Sequence, residues 1–379
     1  MNAVALTLVL VAAWSYIVGA AVVARRFARR ARPQAGDMPA ISVLKPLHGL
    51  EPGLFDNLCS FADQDYPDFQ LVFGVRDRTD AALPVARALT VDRPRCDIEI
   101  VVDSRVRGSN LKVANLENML PSAPHDVIVL ADSDMRVGRD YLGTVAALLA
   151  DPATGLVTCA YKAVPAGGWW SQLAALHINF GFLPGALVGE TLDIGGGCFG
   201  ATIALRREVL EQSGGLVRLR NELGDDHRLG AAVRRLGLKT VLAPYIVENH
   251  LAEASFASLW RHELRWARTS RAMAPAGFAG SLATHTVVLT ALAASLWGPS
   301  LGVWGGVVLT SVLLRWLSAG AIARALDLPR TGLWLLPLRD VLSFAVFLGS
   351  FCGRSVLWRG QLFRIDPDGH MSVEGDQSA

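Results

Sequence analysis

The stretch Val127-Ile128-Val129-Leu130-Ala131-Asp132-Ser133-Asp134 limits the folds open to this chain more than any other. An apolar run rich in β-branched residues reads as a strand buried on both faces, as in a parallel sheet. It ends in two carboxylates separated by a serine. In open α/β sheets ligands lie beyond the carboxyl ends of the strands, so Asp132 and Asp134 stand where a ligand is expected. Two such carboxylates repel unless something positive lies between them. A divalent cation carrying a diphosphate meets that need, since Mg²⁺ takes one or two carboxylates and completes its shell with phosphate oxygens. Taken alone, Asp-x-Asp reads equally well as a strand-end turn that caps the next helix.

The flanking sequence alternates strand and helix. Strands are expected at Ile41–Leu44, Phe69–Val75, Ile98–Val102 and Val127–Ala131, with helices at Glu51–Ala62, Asp80–Leu89, Lys112–Leu120 and Tyr141–Ala150. That alternation predicts a parallel sheet with helices on both faces. The second half is less regular: a strand at Leu156–Ala160, a helix at Trp169–Phe180, a helix from Gly224 to Leu236 and a short strand at Lys239–Leu242. The glycine cluster Gly195 to Gly200 allows either a close backbone approach to a ligand or a sharp turn. Its spacing matches neither a dinucleotide nor a Walker fingerprint.

With 51% hydrophobic and 18% charged residues, the chain is too apolar for a purely soluble enzyme, and one globular domain plus membrane segments is the economical reading. Residues 1–24 form an apolar run followed by Arg25, Arg26, Arg29, Arg30 and Arg32. A signal peptide carries its charge before the run, so this is an uncleaved anchor, and the positive-inside rule puts the chain after Arg32 in the cytosol. A net charge of +2 gives no case for nucleic-acid binding, and scattered cysteines without a Cys-x-x-Cys pair suggest neither disulfides nor zinc. Phe256–Met273 sets Trp260 and Trp266 among Arg261, His262, Arg265, Arg268 and Arg271, a composition suited to the membrane interface. Leu282–Trp297 and Leu301–Ala321, parted by Gly298-Pro299, read as a helical hairpin. A last apolar run, Leu333–Cys352, contains Arg339 and Asp340 as an ion pair at membrane depth, and is either a third crossing or re-entrant. Three crossings would put the C-terminus outside, whereas Arg354, Arg359 and Arg364 favour the inside. The expected organisation is an anchor at 1–24, a catalytic domain at 40–254, an interfacial helix at 255–280, a membrane region at 282–353 and a tail at 354–379.

Further candidates each have a plain structural alternative. Asp77 follows a strand and also suits a turn. Asp225-Asp226 opens a helix and also suits its cap. Gly108-Ser109-Asn110-Leu111-Lys112 with Asn115 is also an ordinary helix start, and Arg265-Trp266 an ordinary interface anchor. Their order along the chain is more telling. Lys45-Pro46-Leu47, Asp65-Tyr66-Pro67, Val75-Arg76-Asp77, Gly108 to Asn115, Ala131 to Asp134, Asp225-Asp226 and Arg265-Trp266 resemble the ceramide glucosyltransferases, over about Ile41 to Thr269. Leu44–Gly49, Phe199–Thr202 and His262–Thr269 are most similar to the bacterial branch associated with hopanoid biosynthesis. His262 stands where that family usually has Gln or Arg.

The resemblance implies an α/β fold of the GT-A type, a Rossmann-like mixed sheet in a cytosolic domain flanked by N- and C-terminal transmembrane helices. It implies an inverting, UDP-sugar-dependent hexosyltransferase in the cell inner membrane, multi-pass, with a membrane lipid, hopanoid or ceramide, as acceptor. Asp77 would contact the uridine, and Lys112 would neutralise the diphosphate or position the nucleotide, with Asn115 beside it. Asp132 and Asp134 would hold the donor and its Mg²⁺ or Mn²⁺. Asp226 would be the general base, Arg265 would steady the leaving diphosphate, and Trp266 would stack or shape the acceptor entrance. His262 is a substrate contact or, equally, a packed interfacial histidine.

Overall fold

Neighbouring residues of the early strands feed two different cores. Ile41, Val43, Val127 and Val129 enter one apolar cluster, and Leu44, Ile128 and Leu130 enter another. A strand apolar on both faces must be covered on both, which is the environment of an interior strand in an α/β layer. In this computed structural model, which describes residues 3–33, 36, 38–194, 196–298, 300–358, 361–366 and 369–373, the strands are β1 (Ile41–Pro46), β2 (Phe69–Val75), β3 (Asp97–Val102), β4 (Val127–Leu130), β5 (Met135–Arg136), β6 (Thr154–Pro165), β7 (Ile203–Arg206) and β8 (Lys239–Leu251). They form one sheet in the order β3-β2-β1-β4-β7-β6-β8-β5. The first four run parallel, as expected. The second half does not: β7 is antiparallel to β4 and β6, and β5 is antiparallel to β8. The sheet is therefore mixed. The strand expected at Lys239–Leu242 is much longer, because β8 continues to Leu251 and pairs with the segment after the Asp-x-Asp.

The chain forms two compact units. The sheet unit comprises Ala31–Tyr161, Gly196–Leu251 and Trp358–Ala379, and the helical unit Met1–Arg30, Lys162–Gly195 and Ala252–Leu357. The continuous catalytic domain expected at 40–254 is thus interrupted by Lys162–Gly195. Gly195, Pro299 and Arg359 lie outside the described residues. The tail expected at 354–379 contains three short strands, Ser355–Trp358, Gln361–Ile365 and Met371–Val373. It joins the sheet unit through a bridge between Glu222 and His370 and a hydrogen bond from Met371 N to Asn221 O, 2.7 Å.

Among the described residues of the helical unit, three helices are long and apolar enough to cross a membrane: Thr7–Ala28, Gly168–Thr191 and Leu301–Ala325. Pro275–Thr284 and Thr286–Trp297 would make a fourth span as a pair bent by 72°. The helix expected at Trp169–Phe180 runs on to Thr191 because one π turn, Ile178–Phe182, precedes Pro184 and accommodates its missing N–H. The run Leu333–Cys352 holds a 3-10 turn, Leu333–Leu335, that leads into the 14-residue helix Leu336–Gly349, about 21 Å long against roughly 30 Å of hydrocarbon.

Arg339 and Asp340 do not pair with each other. Arg339 makes a two-pronged bond to Glu263, 2.7 and 2.8 Å, with both side chains at 3% exposure or less. Asp340 takes Arg315, 3.1 Å from each oxygen, and Arg315 also donates to the carbonyl of Phe180 in the π turn, 2.9 Å.

Candidate active site

Register brings the strand ends level. Leu44 of β1 lies opposite both Val72 of β2 and Leu130 of β4, so Asp77 and Asp132 follow strands that end on one edge of the sheet. The Asp-x-Asp is held from below by Lys45, a fully buried residue at the end of β1. Its ammonium donates to the carbonyl of Asp132 at 2.7 Å and lies 3.6 Å from the centre of the Phe61 ring. Burial lowers its pKa to about 7, against the pull of Asp134, Asp132 and Glu51. Asp134 is fixed from the side: its Oδ2 accepts from Asn249 at 2.7 Å, and its carbonyl accepts from His250 N at 3.2 Å. Its Oδ1 is buried with no hydrogen-bond partner among the described residues. Burial, then Glu51 and Asp132, push the carboxyl up to about 7.

Lys112 is the cation of the cluster. Its Nζ lies 2.6 Å from Asp132 Oδ1 and 3.7 Å from Asp225 Oδ2. Burial works against the charge, but Asp132, Asp225 and Asp226 outweigh it and the pKa is raised. The helix carrying Lys112, Leu111–Met119, is capped by Asn110, whose side-chain oxygen accepts from Lys112 N and Val113 N, both at 3.0 Å. The same buried amide donates to the carbonyl of Glu222 at 2.7 Å, tying Lys112 to the segment that leads into Asp225 and Asp226.

Asp225 and Asp226 occupy the first turn of the helix Asp225–Arg235, where the helix dipole favours negative charge. Neither acts as an N-cap, since the cap position is Gly224 with no side-chain cap bond. Asp226 Oδ2 accepts from Gly200 N at 2.8 Å and Oδ1 from His227 N at 2.7 Å. Burial nonetheless raises its pKa, against Lys112 and those two N–H groups, and pushes Asp225 up to about 6. Gly200 marks where the groups converge. A Cβ on it would stand 3.2 Å from Lys112 Nζ, 3.3 Å from Asp226 Oδ2 and 3.6 Å from Asp132 Oδ2. The glycine turn is pinned by Thr158, whose hydroxyl donates to Phe199 O at 3.1 Å and accepts from Phe199 N at 2.9 Å.

The other expected site residues have these surroundings. Asp77 is exposed and closes a turn, accepting from Thr79 N and Oγ1 at 2.8 Å each, and these bonds lower its pKa. Asn115, expected beside the substrate, is 1% exposed and donates to Gly74 O at 2.8 Å, so it braces the end of β2. Arg265, Trp266 and His262 belong to the helical unit, on the helix Phe256–Met273. There the His262 ring packs 4.2 Å from the centre of Trp266, and its Nδ1 lies 2.8 Å from Glu253 Oε1. Lys45, Asn110, Gly200 and Asn249 have no site role that sequence reasoning found. Lys45 carried a signal, a charge directly after an apolar strand, and Gly200 lay in the glycine cluster, whereas nothing local distinguished Asn249.

A mixed α/β sheet of this order with a carboxylate pair at its switch from parallel to antiparallel strands defines a GT-A-type glycosyltransferase. The chain belongs to glycosyl transferase family 21, whose sequence model matches residues 4–371. It is 23% identical over 239 residues to ceramide glucosyltransferase 1 of Caenorhabditis elegans, 63% of this chain and 51% of that protein. It is 26% identical over 163 residues to a ceramide glucosyltransferase of Gibberella zeae, 39% of this chain and 31% of that protein. The chain spans about half or less of the length of these curated relatives. Together with the three helices able to cross a bilayer, this kinship makes the protein membrane-associated. Among solved structures, the mannosyltransferase PcManGT from Pyrobaculum calidifontis, in complex with GDP-Man and Mn²⁺, matches with a TM-score of 0.51 and 18% identity, covering 91% of this chain and 99% of that one. That likeness is one of fold.

Proposed function

We propose that this chain transfers one sugar, with inversion, from a UDP-sugar to a hydroxyl of a membrane lipid. The observation that carries the reading is the convergence of Asp132, Lys112 and Asp226 on Gly200 at the carboxyl edge of the sheet. One cation among several carboxylates provides both a site for a diphosphate and a base beside it. The acceptor oxygen attacks the anomeric carbon, the bond from that carbon to UDP breaks with its electrons passing to the diphosphate, and the acceptor proton goes to Asp226. Lys112 turns from Asp132 toward the diphosphate as a point charge. Asp77 contacts the uridine, and Arg265 and Trp266 serve the leaving diphosphate and the acceptor entrance, as the family resemblance implies.

The residues present fit a divalent ion. Asp134 Oδ1 is an orphaned buried oxygen, and its carboxyl holds a proton to about pH 7 that a cation would displace. No group of three or more His, Cys, Asp or Glu side chains among the described residues could hold a metal by itself. Asp132 and Asp134 would therefore share Mg²⁺ or Mn²⁺ with the diphosphate, and the ion would stabilise charge on the departing UDP. Excess EDTA should abolish transfer and either ion should restore it; full activity in EDTA would remove the ion from the reaction.

For substrates, we favour N-acetylglucosamine from UDP-GlcNAc onto bacteriohopanetetrol, on the resemblance of Leu44–Gly49, Phe199–Thr202 and His262–Thr269. Glucose from UDP-glucose onto ceramide is the second reading, favoured by the curated relatives. The sheet unit lies on the cytosolic face of the inner membrane, where nucleotide sugars are made. Incubating the purified chain with each donor and acceptor pair and identifying products by mass spectrometry decides between them. Binding of donor without transfer to either lipid would sink the proposal.

Lys45 gives a separate check. Lys45→Met keeps the length of the stem and removes the donor to Asp132 O. Loss of a buried charged hydrogen bond is expected to cost about 2 kcal/mol of stability. Because Asp132 is held by that bond, titration calorimetry should also show UDP-sugar binding at least about tenfold weaker. Unchanged affinity would show that Lys45 supports the fold alone.

A further inference from the structure

The helices Ala3–Ala28 and Leu301–Ala325 run in the same direction. Trp14 Nε1 donates to Ser311 Oγ at 2.8 Å, and further along both helices Ser318 Oγ donates to Ile17 O at 2.8 Å. Parallel packing brings both C-termini, and the arginines they carry, to one membrane face. There Arg25, Arg29 and Arg324 surround a cavity of about 300 Å³ whose remaining lining is Ala28, Ala321 and Ala325.

Three features separate this cavity from an ordinary basic flank. Among the described residues no acidic side chain pairs with Arg25, Arg29 or Arg324, whereas the adjacent Arg30 is occupied by Glu190 at 2.8 and 2.9 Å. Two helix C-termini offset part of the charge, but only fractionally and within the last turn. The alanines leave room between the guanidinium groups that larger side chains would fill. Guanidinium groups suit phosphate oxygens because their forked donors match that geometry.

We propose that Arg25, Arg29 and Arg324 form a binding site for a phosphate-type anion, outside the sugar-transfer site. At the ends of apolar helices the headgroup of an anionic phospholipid is one source of that chemistry, and a free phosphate is the other. A bound anion would clamp the two helices together at their C-terminal ends.

The test uses the full chain purified in non-ionic detergent, with native mass spectrometry after addition of dioleoylphosphatidylglycerol or dioleoylphosphatidylcholine. Wild type should retain phosphatidylglycerol in preference to phosphatidylcholine. The triple variant R25Q/R29Q/R324Q should retain it more than about tenfold less. The charge-matched triple R26Q/R87Q/R95Q should retain it as wild type does. Ala28→Phe, which fills the floor and keeps every charge, should also lose it. If no lipid is retained but inorganic phosphate raises the melting temperature of wild type and not of R25Q/R29Q/R324Q, the site stands and its ligand is the free anion. Equal losses in both triples, full retention in Ala28→Phe, or no response to either probe overturns the proposal.

Discussion

Asp226→Asn is expected to keep UDP-sugar affinity within a few-fold of wild type while transfer falls by about a hundredfold or more. In the proposed reaction Asp132 and Asp134 serve donor and metal, and Asp77 lies in its own exposed turn. Asp226 is held in place by Gly200 N and His227 N, yet stands within the cluster that a diphosphate would enter. The substitution preserves shape and removes the proposed base. Asp225→Asn should be milder, because Asp225 acts on the reaction through Lys112, 3.7 Å away. The same pair sets a pH dependence. A base works unprotonated, and burial raises the pKa of Asp226 beside a neighbour at about 6. Activity is therefore lost as pH falls, and the acid limb of kcat/KM, which reports the free enzyme, is expected above the ordinary carboxylate range. A wild-type rate in Asp226→Asn, or a loss confined to donor binding, would place the base elsewhere.

The second large effect is structural. Arg339→Met should destabilise the helical unit by about 3–5 kcal/mol, because it leaves Glu263 buried and unpaired. Glu263 lies between His262 and Leu264 on the helix that carries Arg265 and Trp266, so the pair also sets how that helix is held. The double variant Glu263→Leu/Arg339→Met removes both charges and should recover most of the loss, since a well-packed apolar pair often replaces a buried ion pair without penalty. Thermal unfolding of the purified variants reads this directly. A double variant as unstable as Arg339→Met would mean that the lost packing of the arginine stem, and not the stranded carboxylate, is the cause.

What could be read along the chain was chemistry that is local. A two-sided apolar strand followed by Asp-x-Asp, the parallel order of the first four strands, the helix Phe256–Met273 and the first helix with the arginines at its end all depend on neighbours within a turn or a strand. Asp77 is similar, since its turn is made with Thr79. Partner choice was not local. Lys45 meets Asp132 because β1 and β4 are adjacent, Gly200 meets Asp226 because the helix Asp225–Arg235 packs against the glycine turn, Gly230 facing Cys198, and Asn249 meets Asp134 because β8 runs antiparallel to β5. Arg339 and Asp340 show the reason most plainly. Adjacent residues on a helix point about 100° apart, so the two could not face each other. Packing of distant helices gave one to Glu263 and the other to Arg315.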